Sequence, residues 1–453
     1  MRSLPKTLLI VALTAFISTS ANAGGTFSGL GLADYGGSFS GISQTGVFGV
    51  GYNPAAALSD ETSILLDVGS INAGYQSALE GEASIESNST SNVPYIALTT
   101  PIGERLGLGF NLGVPYSRVA TESENQSQRF HGIESALIIA ELDSSLAYKV
   151  SDNLTVGVGA ALVNAIASAR VAMDTGAVLY SLFRNDTTES LIGDPALEGT
   201  RIFEDGRTLG IGGNVGFRYR SNNGIELTGT YRSEIRSNLE GKVLMRPINS
   251  LNLMIEGDLV GDFVLPMEAQ YSLSVPIGPM RLAAEGSWVD WSSTSEQFAT
   301  LENLVVVSDD SIAESLLAQY GLDDPELFGS TQQLGVNGFQ DIHAFGARLT
   351  WETPELQVTA GAMYSPNATP DEWAHPANTD FQSVNYYGGA LRDITDHLTL
   401  GLSASYLDVT DRVITNSNSS LRAAPGVAPM VPNGNGSYSL SLWRVGLSVL
   451  YSL

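Results

Sequence analysis

The chain has 453 residues, of which 48 are acidic, 22 are basic and none is cysteine. The formal net charge of −26 argues against a nucleic-acid partner, because phosphate binding requires clustered Lys and Arg side chains. The lack of cysteine excludes disulfides, thiolate zinc sites and thiol nucleophiles. An apolar share of 43% is too high for a disordered acidic chain.

Residues 1–23 have the pattern of a secretory signal peptide. Arg2 and Lys6 precede an apolar run from Leu8 to Ile17, and residues 21–23 read Ala-Asn-Ala, the small-x-small cleavage pattern. The run is too short to span a bilayer as a helix, and no later stretch reaches about 18 consecutive apolar residues. We therefore expect an exported protein that is either soluble in the periplasm or a barrel in the outer membrane.

The last eleven residues alternate between an apolar and a small or polar face. Such a length fits a tilted barrel strand, which needs about 9–11 residues to cross a membrane, and aromatic side chains lie at both ends of the apolar face. The outward set is Trp443, Val445, Leu447, Val449, Tyr451 and Leu453, and the same alternation recurs at 106–113, 211–219, 225–232 and 398–406.

Turn residues between these runs give a strand count. Short hairpin-type turns occur at 101–104, 151–153, 221–224, 276–279, 353–355 and 393–396. Longer polar connections span roughly 76–92, 115–132, 174–206, 240–262, 298–338, 365–380 and 412–436. Six turns and seven loops join 14 strands, which predicts an all-β, antiparallel transmembrane barrel over residues 62–453, with short periplasmic turns and long external loops.

Residues 24–61 precede this barrel and are rich in glycine and aromatic side chains. Fourteen strands would leave an open lumen unless something fills it. We expect the segment to form a compact plug there, because a solvated tail seldom contains so many aromatic residues. A disordered periplasmic tail is the alternative.

Local motifs give the chain a resemblance to the FadL family of outer-membrane transporters for long-chain fatty acids and other hydrophobic compounds. The N-terminal plug, Ser28-Gly-Leu-Gly31 and Asn53-Pro54-Ala55 resemble the hatch of that family. Further similar motifs are the turn at 148–157, Leu265-Pro266, Trp291-Ser292 and Tyr364-Ser-Pro366.

The resemblance implies passive uptake. A long-chain fatty acid or other hydrophobic small molecule would enter an apolar pocket above the hatch and leave sideways through a kinked third strand. Gly113-Val-Pro115 interrupts the alternation of that strand, and Pro cannot donate to a ladder. The alternative is that the strand ends at Gly113 and a loop begins. For the pocket we expect the hatch side chains and one inward wall residue, Phe27, Leu30, Tyr35, Phe39 and Leu450.

Inward-facing Arg218, Arg232 and Arg348 are candidates for binding a fatty-acid carboxylate. The alternative is that lumen charges, including Glu226 and Glu285, pair with one another and brace the interior. The four histidines lack metal-ligand spacing and no nucleophile site is recognisable, so we predict neither an enzyme nor a metal or other cofactor.

Two functions remain open: a hatch-containing transporter of hydrophobic compounds, and an open diffusion porin or structural barrel whose N-terminus lies outside the lumen. The aromatic segment 24–61 favours the transporter, since a porin would show a constriction with opposed charge rings. The sequence does not separate fatty acids from aromatic hydrocarbons, because both require only an apolar pocket. We expect a monomer among outer-membrane lipid and lipopolysaccharide, with no nucleic-acid partner.

Overall fold

The computed structural model describes residues 37–121, 127–176, 180, 186–250, 253–308, 331–336, 338–376, 379–418 and 433–453. Within these ranges 19 strand segments form one continuous sheet. Five barrel strands consist of two segments each, so the sheet is a closed antiparallel barrel of 14 strands, as the sequence predicted.

The strands are numbered here in chain order. Those with one segment are β1 (Ser63–Leu79), β2 (Ile85–Ile102), β3 (Leu106–Thr121), β4 (Glu134–Ser151), β5 (Leu154–Asp174), β6 (Glu198–Arg220), β11 (Leu356–Ser365), β12 (Ser383–Thr395) and β14 (Gly436–Ser452). Those with two are β7 (Glu226–Arg232, Ile235–Arg246), β8 (Leu253–Leu265, Glu268–Ile277), β9 (Met280–Val289, Glu296–Ser308), β10 (Thr331–Val336, Ile342–Glu352) and β13 (Leu398–Val409, Arg412–Ile414).

Each strand pairs with its sequence neighbours, and the barrel closes where β1 pairs antiparallel with β14 from Ser63–Ser452 to Leu79–Gly436. All six predicted turns join consecutive strands at one end of the barrel. Short helical turns in the described ranges include 3-10 helices at Gly37–Phe39, Gly46–Phe48, Pro54–Ala57, Ser127–Phe130, Pro195–Leu197, Trp291–Thr294 and Asp371–Trp373, and an α-helical turn at Asp186–Glu189. No helix among the described residues is long and apolar enough to cross a membrane.

Several strands run further than the sequence predicted. β2 begins at Ile85, within the predicted loop 76–92, and pairs there with β1; β6 begins at Glu198, within the predicted loop 174–206. The reason is that ladder hydrogen bonds continue beyond the bilayer, where the outward side chains no longer need to be apolar. A search for apolar outward faces therefore finds only the membrane-spanning part of each strand.

The two faces of the wall differ as predicted. Outward apolar side chains are exposed, with Leu447 of β14 at 53% and Leu402 of β13 at 64%, whereas the intervening Arg444 and Ser448 are buried. An apolar exterior and a polar interior are what a barrel in a bilayer requires.

Residues 37–61, called here the N-terminal segment, pack against inward faces around the ring of strands. Its 3-10 helix Pro54–Ala57 contacts β3, β4, β5 and β6, and its first turn, Gly37–Phe39, contacts β11, β12 and β13. Between them, Ile42, Val47 and Val50 form a buried cluster with wall residues of β1, β2 and β4. The segment thus touches strands on opposite sides of the barrel.

Candidate functional site

The Asn53-Pro54-Ala55 motif is anchored to the wall by the side chain of Asn53. The Asn53 carboxamide oxygen accepts a hydrogen bond of 2.9 Å from the backbone N–H of Ala55 and so caps the short helix. Its amide nitrogen donates to the carbonyl oxygen of Phe217 on β6 at 3.1 Å. One buried side chain therefore orders the segment and binds it to the barrel.

Inward glycines make room for this contact. A Cβ atom at Gly157 of β5 would lie 2.3 Å from the backbone nitrogen of Ala55, and one at Gly216 of β6 would lie 2.2 Å from Oδ1 of Asn53. Real Cβ contacts are not this short. Glycine at 157 therefore lets the backbone of the segment approach the wall, and glycine at 216 makes room for the Asn53 side chain.

A second anchor lies across the lumen, at Arg348 of β10. Its guanidinium donates to the carbonyl oxygens of Ser38 and Ser40 at 2.8 and 2.6 Å and pairs with Glu285 of β9 at 3.3 Å. The hydroxyl of Ser43 donates to the same carboxylate at 2.5 Å. Arg348 and Glu285 are both about 5% exposed, so the ion pair is buried. Both of its members bind the N-terminal segment.

Two cavities lie beside the N-terminal segment, and Tyr52 and Gln270 line both. The first is bounded by the Arg348–Glu285 pair. The second, called here the Pro115 cavity, is a narrow recess that is partly open to solvent. Its apolar lining is Tyr52, Pro115, Ile235, Leu265 and Pro266, and its polar lining is Glu141, Arg232, Ser233, Glu268 and Gln270.

Acidic groups outnumber basic ones around the Pro115 cavity. Arg232 of β7 forms an ion pair with Glu141 of β4 and lies 3.7 Å from a carboxylate oxygen of Asp143. Glu268 is the ladder partner of Arg232 on β8 and accepts a hydrogen bond of 2.8 Å from the side chain of Gln270. Three carboxyl groups thus surround a single guanidinium.

The wall is interrupted next to this cavity. The β2–β3 ladder contains seven residue pairs, from Ile102–Leu106 to Ile96–Leu112, and goes no further in the described residues. β2 continues by pairing with β1, and β3 continues to Thr121 by pairing with β4. The alternative that the strand ends at Gly113 is therefore wrong.

A bulge accounts for the separation of the two strands. The register of β3 against β4 shifts by one residue between Gly113 and Tyr116. An extra residue bends a strand, and Pro115 has no N–H to offer to β2. From Gly113 onward β3 has no ladder pair with β2, while Gly113 and residues 116–121 stay paired with β4. Pro115 lines the cavity on the inner side.

The two predicted pocket residues that the structure describes, Phe39 and Leu450, do not line this cavity. Phe39 is fully buried against the glycine backbones of β12 and β13 and meets the ring of Phe48 edge-on at 6.0 Å. Leu450 faces inward and packs on the apolar cluster beneath the segment. Phe27, Leu30 and Tyr35 lie outside the described residues.

The three candidate arginines are paired with acidic side chains. Arg218 bonds Glu226 at 2.7 Å, and Arg232 and Arg348 form the ion pairs described above. This is the bracing arrangement that the sequence left open as the alternative.

Sequence reasoning missed most of the cavity lining. The alternation of Glu141, Leu142 and Asp143 could have revealed two inward acids on β4. Ile235 could not have been found, because β7 breaks after Arg232 and the inward face changes from even to odd positions there.

Comparisons with known proteins agree with this architecture. A family model described as "Outer membrane protein transport protein (OMPP1/FadL/TodX)" matches residues 11–439. A search of curated proteins finds no match. Among solved structures, a Pseudomonas aeruginosa FadL homologue superposes with a TM-score of 0.72 at 16% identity, covering 96% of this chain and 98% of its own.

Two toluene transporters are similar as well. TodX of P. putida gives a TM-score of 0.68 at 16% identity, over 94% of this chain and 99% of its own. TbuX of Ralstonia pickettii gives 0.63 at 16% identity, over 94% and 99%. At this level of identity the superpositions establish the fold.

Proposed function

The chain belongs to the outer-membrane transport family of FadL and TodX, whose members are channels for hydrophobic compounds and not enzymes, and we propose that it captures its compound in the Pro115 cavity and releases it sideways between β2 and β3. The family places the protein in the outer membrane. Its surroundings of lipid and lipopolysaccharide and its monomeric state stay predictions.

The position of Pro115 supports this route more than any other observation. The residue lines the cavity and also belongs to the bulge at which β3 leaves β2. A compound in the cavity is therefore adjacent to the one place where the β2–β3 ladder gives no hydrogen-bonded barrier in the described residues. An apolar compound that passes through the opening enters the bilayer, where the removal of its surface from water is favourable.

We assign the N-terminal segment the role of a hatch that closes the lumen below the cavity. Its anchors at Asn53 and Arg348 hold it against strands on opposite sides of the ring. A closed lumen leaves the lateral opening as the route for a hydrophobic compound, and it disfavours the open-porin alternative. The hatch limits of 24–61 and the signal peptide of 1–23 stay predictions.

Cross-linking the opening tests the route. The chain contains no cysteine, so introduced pairs react selectively. Pro94→Cys with Val114→Cys would span the opening, at positions that would face each other if the Ile96–Leu112 register continued. Leu98→Cys with Phe110→Cys, a true ladder pair, is the matched control. A bifunctional maleimide should abolish uptake of a labelled hydrophobic compound by cells carrying the first pair and spare the control; uptake retained across the closed opening would refute lateral release.

A further inference from the structure

We infer that the Pro115 cavity selects uncharged hydrophobic compounds, including those with a hydroxyl group, and excludes carboxylates. The inference rests on the proposed function and narrows its substrate class. It concerns the choice between a fatty acid and a neutral compound, which apolar lining alone does not decide.

The charge around the cavity is the first argument. Among the described residues at the cavity, Glu141 and Glu268 of the lining and the neighbouring Asp143 stand against one basic side chain, Arg232. Arg232 is already paired with Glu141, so a second carboxylate would have to displace that partner. A carboxylate in this position would meet acidic side chains and no uncommitted cation among the described lining residues, so no charge partner would offset the loss of its hydration.

The other two candidate arginines, Arg218 and Arg348, already bind partners elsewhere in the lumen. Arg348 donates to two backbone carbonyls of the hatch and pairs with Glu285, and Arg218 pairs with Glu226. Recruiting either one for a ligand would leave a buried carboxylate without its partner, which is strongly unfavourable. Both arginines thus brace the fold.

The same lining suits a neutral molecule. Pro115, Ile235 and Leu265 offer apolar contact, and the carboxyl groups of Glu141 and Glu268 can accept a hydrogen bond. An alcohol can donate one and a hydrocarbon needs none, whereas an ionised carboxylate is only an acceptor. The carboxyl groups disfavour an anionic compound and the apolar side chains favour a hydrophobic one, and both effects contribute to specificity.

Uptake of two compounds of equal chain length tests the inference. Radiolabelled dodecanol and dodecanoate are supplied, at a pH well above the pKa of a fatty acid, to Gram-negative cells that lack their own transporter and express this chain. Variants Glu268→Gln and Gln270→Lys remove an acid from the cavity or add a cation to it. Glu134→Gln, at the exposed end of β4, makes the same charge change away from the cavity.

We expect the full chain to take up dodecanol about tenfold faster than dodecanoate. Either cavity variant should lower this ratio at least about threefold by admitting dodecanoate, and Glu134→Gln should leave it unchanged. The inference is overturned if dodecanoate is taken up as fast as dodecanol, or if both cavity variants fold and keep the original ratio. Rates of both compounds equal to the empty-vector control would instead overturn the proposed function.

Discussion

Arg348, on a wall strand, donates a hydrogen bond of 2.6 Å to the carbonyl oxygen of Ser40, 308 positions earlier in the chain. The contact joins the N-terminal segment to β10 on the side of the lumen opposite Asn53. Because Glu285 neutralises the guanidinium from β9, the anchor places no net charge in the interior.

Replacing Arg348 should release this side of the segment. In Arg348→Met the Glu285 carboxylate loses its partner and two backbone carbonyls lose their donors, which costs about 3–5 kcal/mol. We expect faster proteolysis of the N-terminal segment and a conducting lumen. Arg392→Met, an exposed arginine on β12, should leave both unchanged. Equal protease resistance of the two variants would show that Arg348 does not hold the segment.

Gly157→Ala should displace the segment at the Asn53 side. The added methyl group would collide with the backbone of Ala55, and overpacking of this kind costs about 1–3 kcal/mol. Gly213→Ala is the control, since its Cβ would meet only an oxygen at 3.6 Å. Urea titration of the lipid-embedded barrel, read by protection of the segment from protease, measures the difference. The same midpoint for both variants would contradict the close approach seen at β5.

Two variants of Asn53 separate its bond to Ala55 from its bond to the wall. Asn53→Asp keeps the acceptor for the Ala55 N–H but loses the donor to Phe217, whereas Asn53→Ala loses both. A cap contributes about 1 kcal/mol, but a buried carboxylate that faces the Phe217 carbonyl oxygen costs more, so Asn53→Asp should be the less stable of the two. The protection assay used for Gly157 checks this order. If Asn53→Ala keeps wild-type protection from protease, the Asn53-Pro54-Ala55 motif does not hold the segment in place.

The outward face should tolerate charge only near its ends. Leu447 lies midway between Trp443 and Tyr451, the aromatic side chains at the two ends of the outward face of β14. Leu447→Arg should cost about 2–4 kcal/mol of stability in lipid, and Tyr451→Arg about 0–1. Both costs are measured by folding the variants into lipid vesicles at increasing urea concentrations. The folded fraction is read from mobility on a gel. Equal costs would mean that these residues do not mark the membrane limits.

The sequence predicted the barrel far better than the cavity. Strand number, turns and outward faces follow from period-two alternation and turn residues, which are local signals. The cavity depends on how distant strands meet: Ile235 lines it only because β7 breaks after Arg232 and reverses its inward parity. The ion pairs of Arg232 with Glu141 and of Arg348 with Glu285 likewise join residues 91 and 63 positions apart, and no spacing rule links such partners. Pro115 is the exception, since a proline within an alternating run is itself a local signal of a broken ladder.

Single-channel conductance in planar bilayers tests the central claim most directly. The full mature chain is compared with a deletion of residues 24–52, which removes Ser38, Ser40 and Tyr52 but keeps the strands. The account predicts silence from the full chain and large, steady conductance from the deletion, because the segment fills the lumen. Equal, steady conductance from both proteins would mean that the lumen is already open, and it would contradict hatch-gated uptake in favour of a porin.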